Sequence, residues 1–285
     1  MIVQTIGIVG SGQMGTGIAE ICGLSGYEVI VYGRNEDVQP ACRGRVKQSL
    51  DRAVSRGKLS AHDADAAIGR VSGTAYLARL AAADLVIEAV AEDLTLKQSI
   101  FRSLDDIVRP EAILATNTSS LSVTELAVAT RRPDRVLGMH FFNPVPVMRL
   151  LELVRGLHTS DETLAFARKV GAYLGKTTIT APDTPGFIVN RLLIPYVVEA
   201  IAAHEAGLGS AEIMDSSVKL GMGHPLGPLA LADLIGLDTT LAIADVLYEA
   251  YADARFKAPP LLRRMVAVGW LGRKTGRGFF EYRRG

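Results

Sequence analysis

Residues Gln4 to Arg34 read QTIGIVGSGQMGTGIAEICGLSGYEVIVYGR. The apolar run Ile6 to Val9 is short enough for a buried parallel strand. Gly10-Ser11-Gly12-Gln13-Met14-Gly15 follows, a G-x-G-x-x-G. Met14, Ile18, Ile21 and Leu24 then recur at helical spacing, Gly26 ends the helix, and Val29 to Tyr32 forms the next strand. Strand, glycine loop, helix and strand in this order make the motif a dinucleotide site. Gly10, Gly12 and Gly15 allow a tight turn, close approach of backbone to a pyrophosphate, and close helix–strand packing. Gln13 and Met14 open the helix, whose N-terminal amides and positive dipole end suit the phosphates.

The end of the second strand departs from the usual pattern. An NAD-binding unit carries Asp or Glu there to accept hydrogen bonds from the ribose 2′-hydroxyl. Here the position is Gly33, followed by Arg34 and Asn35. A carboxylate would repel a 2′-phosphate, whereas glycine makes room and Arg34 offers charge-assisted bonds. NADP(H) is therefore expected over NAD(H). The competing reading makes Arg34 a solvated loop residue and leaves the ribose to Glu36 or Asp37.

A chain of 285 residues is long enough for two domains with a well-buried core. Its 48% hydrophobic content argues against disorder. Net charge is +1, from 31 basic and 30 acidic residues, and no basic stripe alternates with aromatics, so no nucleic-acid partner is expected. Cys22 and Cys42 fit no metal or redox spacing, and Cys22 falls in the first helix as a small core residue. Residues 1–10 read as the first strand rather than a leader. The most apolar later stretch, Leu192 to Ala203, is too short to span a bilayer and contains Pro195 and Glu199. The expectation is a soluble, cytoplasmic protein without metal.

Asp37 to Gly69 reads as helical, with Arg43, Arg45, Lys47, Arg52, Arg56 and Lys58 on a solvated face. Lys58 alone, following a helix end, is singled out as able to reach an anion. Further strands are expected at Leu85–Val90, Ala112–Thr116, Val136–Met139, Leu150–Val154 and Thr177–Thr180. Helices are expected at Leu94–Val108, from an N-cap at Ser122 to Ala129, and at Asp161–Leu174. Alternation of this kind predicts an α/β fold, a Rossmann-type doubly wound and mostly parallel sheet. The character changes at Pro182-Asp183-Thr184-Pro185-Gly186. The boundary is set at 184, giving a dinucleotide-binding domain over 1–184 and a smaller all-α domain over 185–285, with no convincing strand before Gly278-Phe279-Phe280.

Ligands of an open α/β sheet bind beyond the carboxyl ends of its strands. Glu92, Asn117, Ser119 and His140 are expected at such ends. A histidine can take and return a proton near neutral pH, as alcohol oxidation by hydride transfer requires. Glu152 lies twelve residues later in an apolar strand, where a carboxylate is costly unless paired. A His140–Glu152 pair would orient the imidazole and support its protonated form. Taken singly, a satisfied core histidine and a structural ion pair are the better readings; the two together after a nucleotide fold favour the acid/base pair. Asn190 begins the first helix of the second domain and is a candidate to hold a substrate oxygen.

With these residues in place, the chain resembles the L-3-hydroxyacyl-CoA dehydrogenase family, most of all its bacterial 3-hydroxybutyryl-CoA branch. The resemblance runs the length of the chain through GSGQMG (10–15), EAVAED (88–93), TNTSSL (116–121), HFFNP (140–144), LLELV (150–154), DTPGFIVNR (183–191), GHPLGPLALADLIGLD (223–238) and GRKTGRGFF (272–280). It implies that His140 is the acid/base on the 3-oxygen and Glu152 its orienting carboxylate. Ser119 and Asn190 would bond the reacting oxygen. Glu92, Lys97 and Asn117 would line the nicotinamide-ribose side, and Lys58 would meet CoA. Asn143 joins the substrate-side residues. The resemblance also implies a homodimer formed through the helical domain. The departure at Gly33-Arg34 again points to NADP(H). Two alternatives stay open: the same chemistry on an acyl-carrier-protein thioester or another β-hydroxy acid, and a non-catalytic dinucleotide-binding protein.

Overall fold

The computed structural model describes residues 3–282; residues 1–2, where the first strand was expected to begin, and 283–285 lie outside it. The chain divides into two units, Met1–Asp183 and Thr184–Gly285.

The first unit is built on one sheet. Its strands are β1 (Thr5–Val9), β2 (Glu28–Tyr32), β3 (Val71–Thr74), β4 (Leu85–Glu88), β5 (Ile113–Thr116), β6 (Val136–Phe141), β7 (Leu150–Arg155) and β8 (Thr177–Pro182). They lie in the order β3-β2-β1-β4-β5-β6-β7-β8. Every neighbouring pair is parallel except β6 and β7, which run antiparallel. The central strands are buried along their length, which is why they read as apolar runs without alternation. Helices α1 (Gln13–Leu24), α2 (Val38–Ser55), α3 (Ala61–Gly69), α4 (Leu94–Ile107), α5 (Val123–Ala127) and α6 (Asp161–Tyr173) join them. The core gathers Ile6, Ile8, Ile18, Val29, Leu85 and Ile87. Cys22 is fully buried in it, and burial pushes its thiol pKa well up, as for an inert core residue.

Two local features differ from expectation. Edge strand β3 was not anticipated, because Val71-Ser72-Gly73-Thr74 has the composition of a turn. Its Gly73 admits the α2 backbone, since a Cβ there would stand 2.5 Å from Gln39 Cα. Strand β6 runs two residues beyond Met139, so His140 lies within the strand rather than after it. In α4 Phe101 and Leu104 are buried, and Lys97 is buried with them.

The second unit consists of α7 (Val189–Glu205), α8 (Ala211–Met222), α9 (Pro228–Ile235), α10 (Leu237–Tyr251) and α11 (Pro260–Ala267). Ile194, Val197, Ile201, Leu229, Leu247 and Leu262 form its core. Two buried acids organise it. Asp215 accepts from the Leu229 and Ala230 N–H groups at the start of α9. Asp233 accepts from Phe279 N, Phe280 N and the Tyr282 hydroxyl, each at 3.0 Å. Burial raises the Asp233 carboxyl pKa against the lowering effect of these donors. The segment around Gly278 is therefore fastened to a side chain and forms isolated bridges instead of a strand. No helix of the described residues is long and apolar enough to cross a membrane.

Candidate active site

The glycine loop follows β1. Gly10 has φ +115°, and a Cβ there would stand 2.5 Å from the Ala89 carbonyl oxygen. A Cβ at Gly15 would overlap the Gly10 carbonyl oxygen. Internal packing thus demands both glycines. Gly12 is different: a Cβ there meets nothing within 4 Å. The protein's own packing makes no demand for glycine at that point, while a pyrophosphate lying against the loop does. Met14 packs against the sheet core from the first turn of α1.

Gly33 does not act as expected. A Cβ at this position would stand 2.5 Å from Val38 Cγ2 and 3.0 Å from Ser11 Oγ. Val38 therefore already occupies the room that the missing side chain was thought to leave. An adjoining cleft of about 290 Å³ is lined by Arg34, Asn35, Asp37 and Arg45. Arg45 was read from sequence as part of a solvated face. Its Nε donates to Thr16 Oγ1 at 3.2 Å and its Nη2 to the Ser11 carbonyl oxygen, against the glycine loop. Only the spacing Val38, Ala41, Arg45 along one helical face could have marked it. Lys58 is exposed past the far end of α2, an 18-residue helix about 27 Å long.

At the carboxyl ends of β4 and β5 a buried charge network forms. Lys97 Nζ bonds both Glu88 oxygens at 2.8 and 2.9 Å and lies 3.3 Å from Glu92 Oε2. The Lys97 and Glu88 side chains are fully buried. Thr116 Oγ1 donates to Glu88 at 2.8 Å, and Val90 N–H donates at 2.6 Å. Glu92 Oε1 then gathers the next loop, accepting from Thr118 Oγ1 at 2.5 Å, Ser119 N at 2.8 Å and Ser120 N at 3.2 Å. Burial acts to raise the Glu92 pKa, but the Lys97 charge, the Thr118 hydroxyl and the Ser119 N–H outweigh it and hold it below its ordinary value. Lys97 is thus engaged by two carboxylates, and Glu92 fixes the backbone that carries Ser119. The resemblance marked Glu92 and Lys97. Glu88 and Thr116 went unnoticed because a strand's last residues look like core.

Two further ties complete the site in this unit. Asn117 Oδ1 accepts from Phe141 N at 2.8 Å, joining the end of β5 to β6 beside His140. Gln13 Nε2 donates to Asn143 Oδ1 at 3.0 Å, joining the glycine-loop helix to the segment after β6. His140 pairs in register with Glu152 on β7, and its Nδ1 lies 2.7 Å from Glu152 Oε2. Both side chains are buried, and the Phe142 ring packs 4.5 Å from the imidazole centroid. Asp183 closes the unit by accepting from Ser122 Oγ, Val123 N and Thr124 N at the start of α5. Asn190 belongs to the second unit, buried in the first turn of α7. Among the described residues no cluster of His, Cys, Asp or Glu is placed to hold a metal ion.

The family model for the 3-hydroxyacyl-CoA dehydrogenase NAD binding domain matches residues 5–184, and that for the C-terminal domain matches residues 186–282. A probable 3-hydroxybutyryl-CoA dehydrogenase of Bacillus subtilis is 46% identical over 282 residues, covering 99% of this chain and 98% of the relative. The crystal structure of Mycobacterium tuberculosis FadB2 superposes with a TM-score of 0.97 at 47% identity, covering 99% of this chain and 100% of that one. That of (S)-3-hydroxybutyryl-CoA dehydrogenase PaaH1 from Ralstonia eutropha gives 0.93 at 47% identity, with the same coverage. A buried histidine–carboxylate pair beside a glycine-loop sheet, and full-length identity of this order, place the chain in the 3-hydroxyacyl-CoA dehydrogenase family.

Proposed function

We propose that the chain is a 3-hydroxyacyl-CoA dehydrogenase for short acyl chains, with NADP(H) preferred over NAD(H) and reduction of a 3-ketoacyl-CoA as its main direction. The observation that carries the chemistry is the buried His140–Glu152 pair at the ligand-binding end of a dinucleotide-type sheet. The cofactor preference rests on Arg34 at the cleft beside the glycine loop.

When bound, the reduced nicotinamide supplies hydride to C3. The chain's residues manage the proton and the oxygen. Glu152 holds Nδ1, so proton exchange with the 3-oxygen falls to Nε2 of His140. The carboxylate supports the imidazolium that must deliver the proton in reduction, and in oxidation the neutral ring receives it. Ser119, on a loop clasped by Glu92, donates to the oxygen as negative charge develops there. The resemblance adds Asn190 as a further donor to the oxygen, Asn143 on the acyl side, and Lys58 toward CoA. Leu192, Leu208, Ile213 and Leu220 are large exposed apolar residues on the helical unit and supply a surface for a homodimer.

The test is the initial rate of acetoacetyl-CoA reduction with NADPH and with NADH across cofactor concentrations. Preference for NADPH supports the reading. Preference for NADH makes Arg34 a solvated residue. No turnover with either moves the substrate to an acyl-carrier-protein thioester.

A further inference from the structure

We infer that Arg45 on α2 is a second reader of the cofactor's 2′-phosphate, closing a two-guanidinium clamp with Arg34. The inference rests on the NADP(H) preference proposed above.

Arg34 and Arg45 reach one cleft from different elements, the loop after β2 and the third turn of α2. Val38, Ala41 and Arg45 lie at i, i+3 and i+7, one stripe of the helix, and all three line that cleft. Val38 fills the side-chain space at Gly33, so no residue on β2's end can place a carboxylate there without displacing it. Arg45 is also pinned. Its bonds to Thr16 Oγ1 and the Ser11 carbonyl oxygen use two of the five N–H donors of a planar, permanently charged group. A guanidinium held in this way is oriented before any ligand arrives, so less side-chain freedom is lost on binding.

The cleft carries two guanidinium groups and one carboxylate, Asp37, with Asn35 as a neutral polar neighbour. Two like charges on one small cleft repel, and a phosphate monoester dianion relieves that repulsion while accepting charge-assisted bonds from both. A ribose 2′-hydroxyl does neither. Arg45 therefore discriminates between the two cofactors as well as bracing the glycine loop.

The experiment measures Kd for NADPH and NADH by quenching of protein fluorescence in wild type, Arg34→Ala, Arg45→Ala and Arg45→Lys, with adenosine 2′-phosphate as competitor. The readout is the ratio of the two constants, because loosening of the loop alone weakens both cofactors alike. Removing Arg45 should reduce the NADPH preference by roughly tenfold or more, the scale of one charged hydrogen bond. Adenosine 2′-phosphate should compete correspondingly less well. Arg45→Lys should recover part of the ratio by restoring charge without the fork. A wild type that prefers NADPH, with an unchanged ratio in Arg45→Ala, overturns the inference and leaves the parent reading standing. A wild type without NADPH preference overturns both, and shows it before any variant is made.

Discussion

His140 and Glu152 face each other across β6 and β7, the antiparallel pair in an otherwise parallel sheet, with Nδ1 2.7 Å from Oε2. Directly opposed residues of an antiparallel pair project to the same face with their Cβ atoms about 5 Å apart. That is the right distance for a histidine and a glutamate to meet without distortion. The reversal of chain direction between β6 and β7 is thus what brings together two residues twelve positions apart.

Replacing His140 with Ala should lower turnover by roughly two orders of magnitude or more while cofactor binding persists. Steady-state rates and fluorescence titration with NADPH check both parts. Glu152→Gln keeps the shape of the pair and removes its charge. It should slow turnover and reshape the pH–rate profile, and a profile identical to wild type would reduce Glu152 to a packing role.

Gly12 and Gly15 should separate binding from folding. Gly12→Ala meets no protein atom within 4 Å, so thermal unfolding should be nearly unchanged while cofactor affinity falls sharply. Gly15→Ala drives a Cβ into the Gly10 carbonyl and should destabilise the fold itself. Paired melting curves and cofactor titrations distinguish the two outcomes.

Lys97→Met leaves the Glu88 carboxylate buried without its cation. Breaking a buried pair by removing one partner costs about 3–5 kcal/mol. The urea midpoint should fall accordingly, and Glu88→Gln combined with Lys97→Met should recover part of the loss.

Glu92 should leave a mark on acid stability. Its folded-state carboxyl lies below the ordinary value of 4.5. Its contribution is therefore complete above that value and is lost as pH falls through the lowered one. Wild type should exceed Glu92→Gln in stability near neutrality, and the gap should close in urea titrations as pH drops below 4.5.

Arg34→Ala should weaken NADPH far more than NADH. Equal losses in the two dissociation constants would show that Arg34 does not meet the 2′-phosphate.

Much of this architecture is legible in residue order. Apolar runs of four to six residues, a glycine loop placed between strand and helix, and Ser122 before an apolar turn announce elements through local chemistry, and Ser122 Oγ does accept from Glu125 N. His140 stands out because a histidine bounded by apolar strand residues needs a partner, and Glu152 was within reach as that partner. β3 and Arg45 were opaque for the opposite reason. Ser72 and Gly73, half of β3, favour turns, and its strand state comes from pairing with β2. Arg45 sits among five other basic residues whose local surroundings look alike.

The sequence by itself determined the order of strands and helices apart from β3, the dinucleotide loop and the identity of the acid/base candidates, because these depend on side-chain type and short-range periodicity. The tertiary structure alone decided that Lys97 lies between Glu88 and Glu92, that Glu92 clasps the Ser119 loop, and that Val38 rather than empty space sits over Gly33. Each of these is a contact between elements. Its energy depends on which surfaces the packed sheet brings within a few ångströms and removes from water.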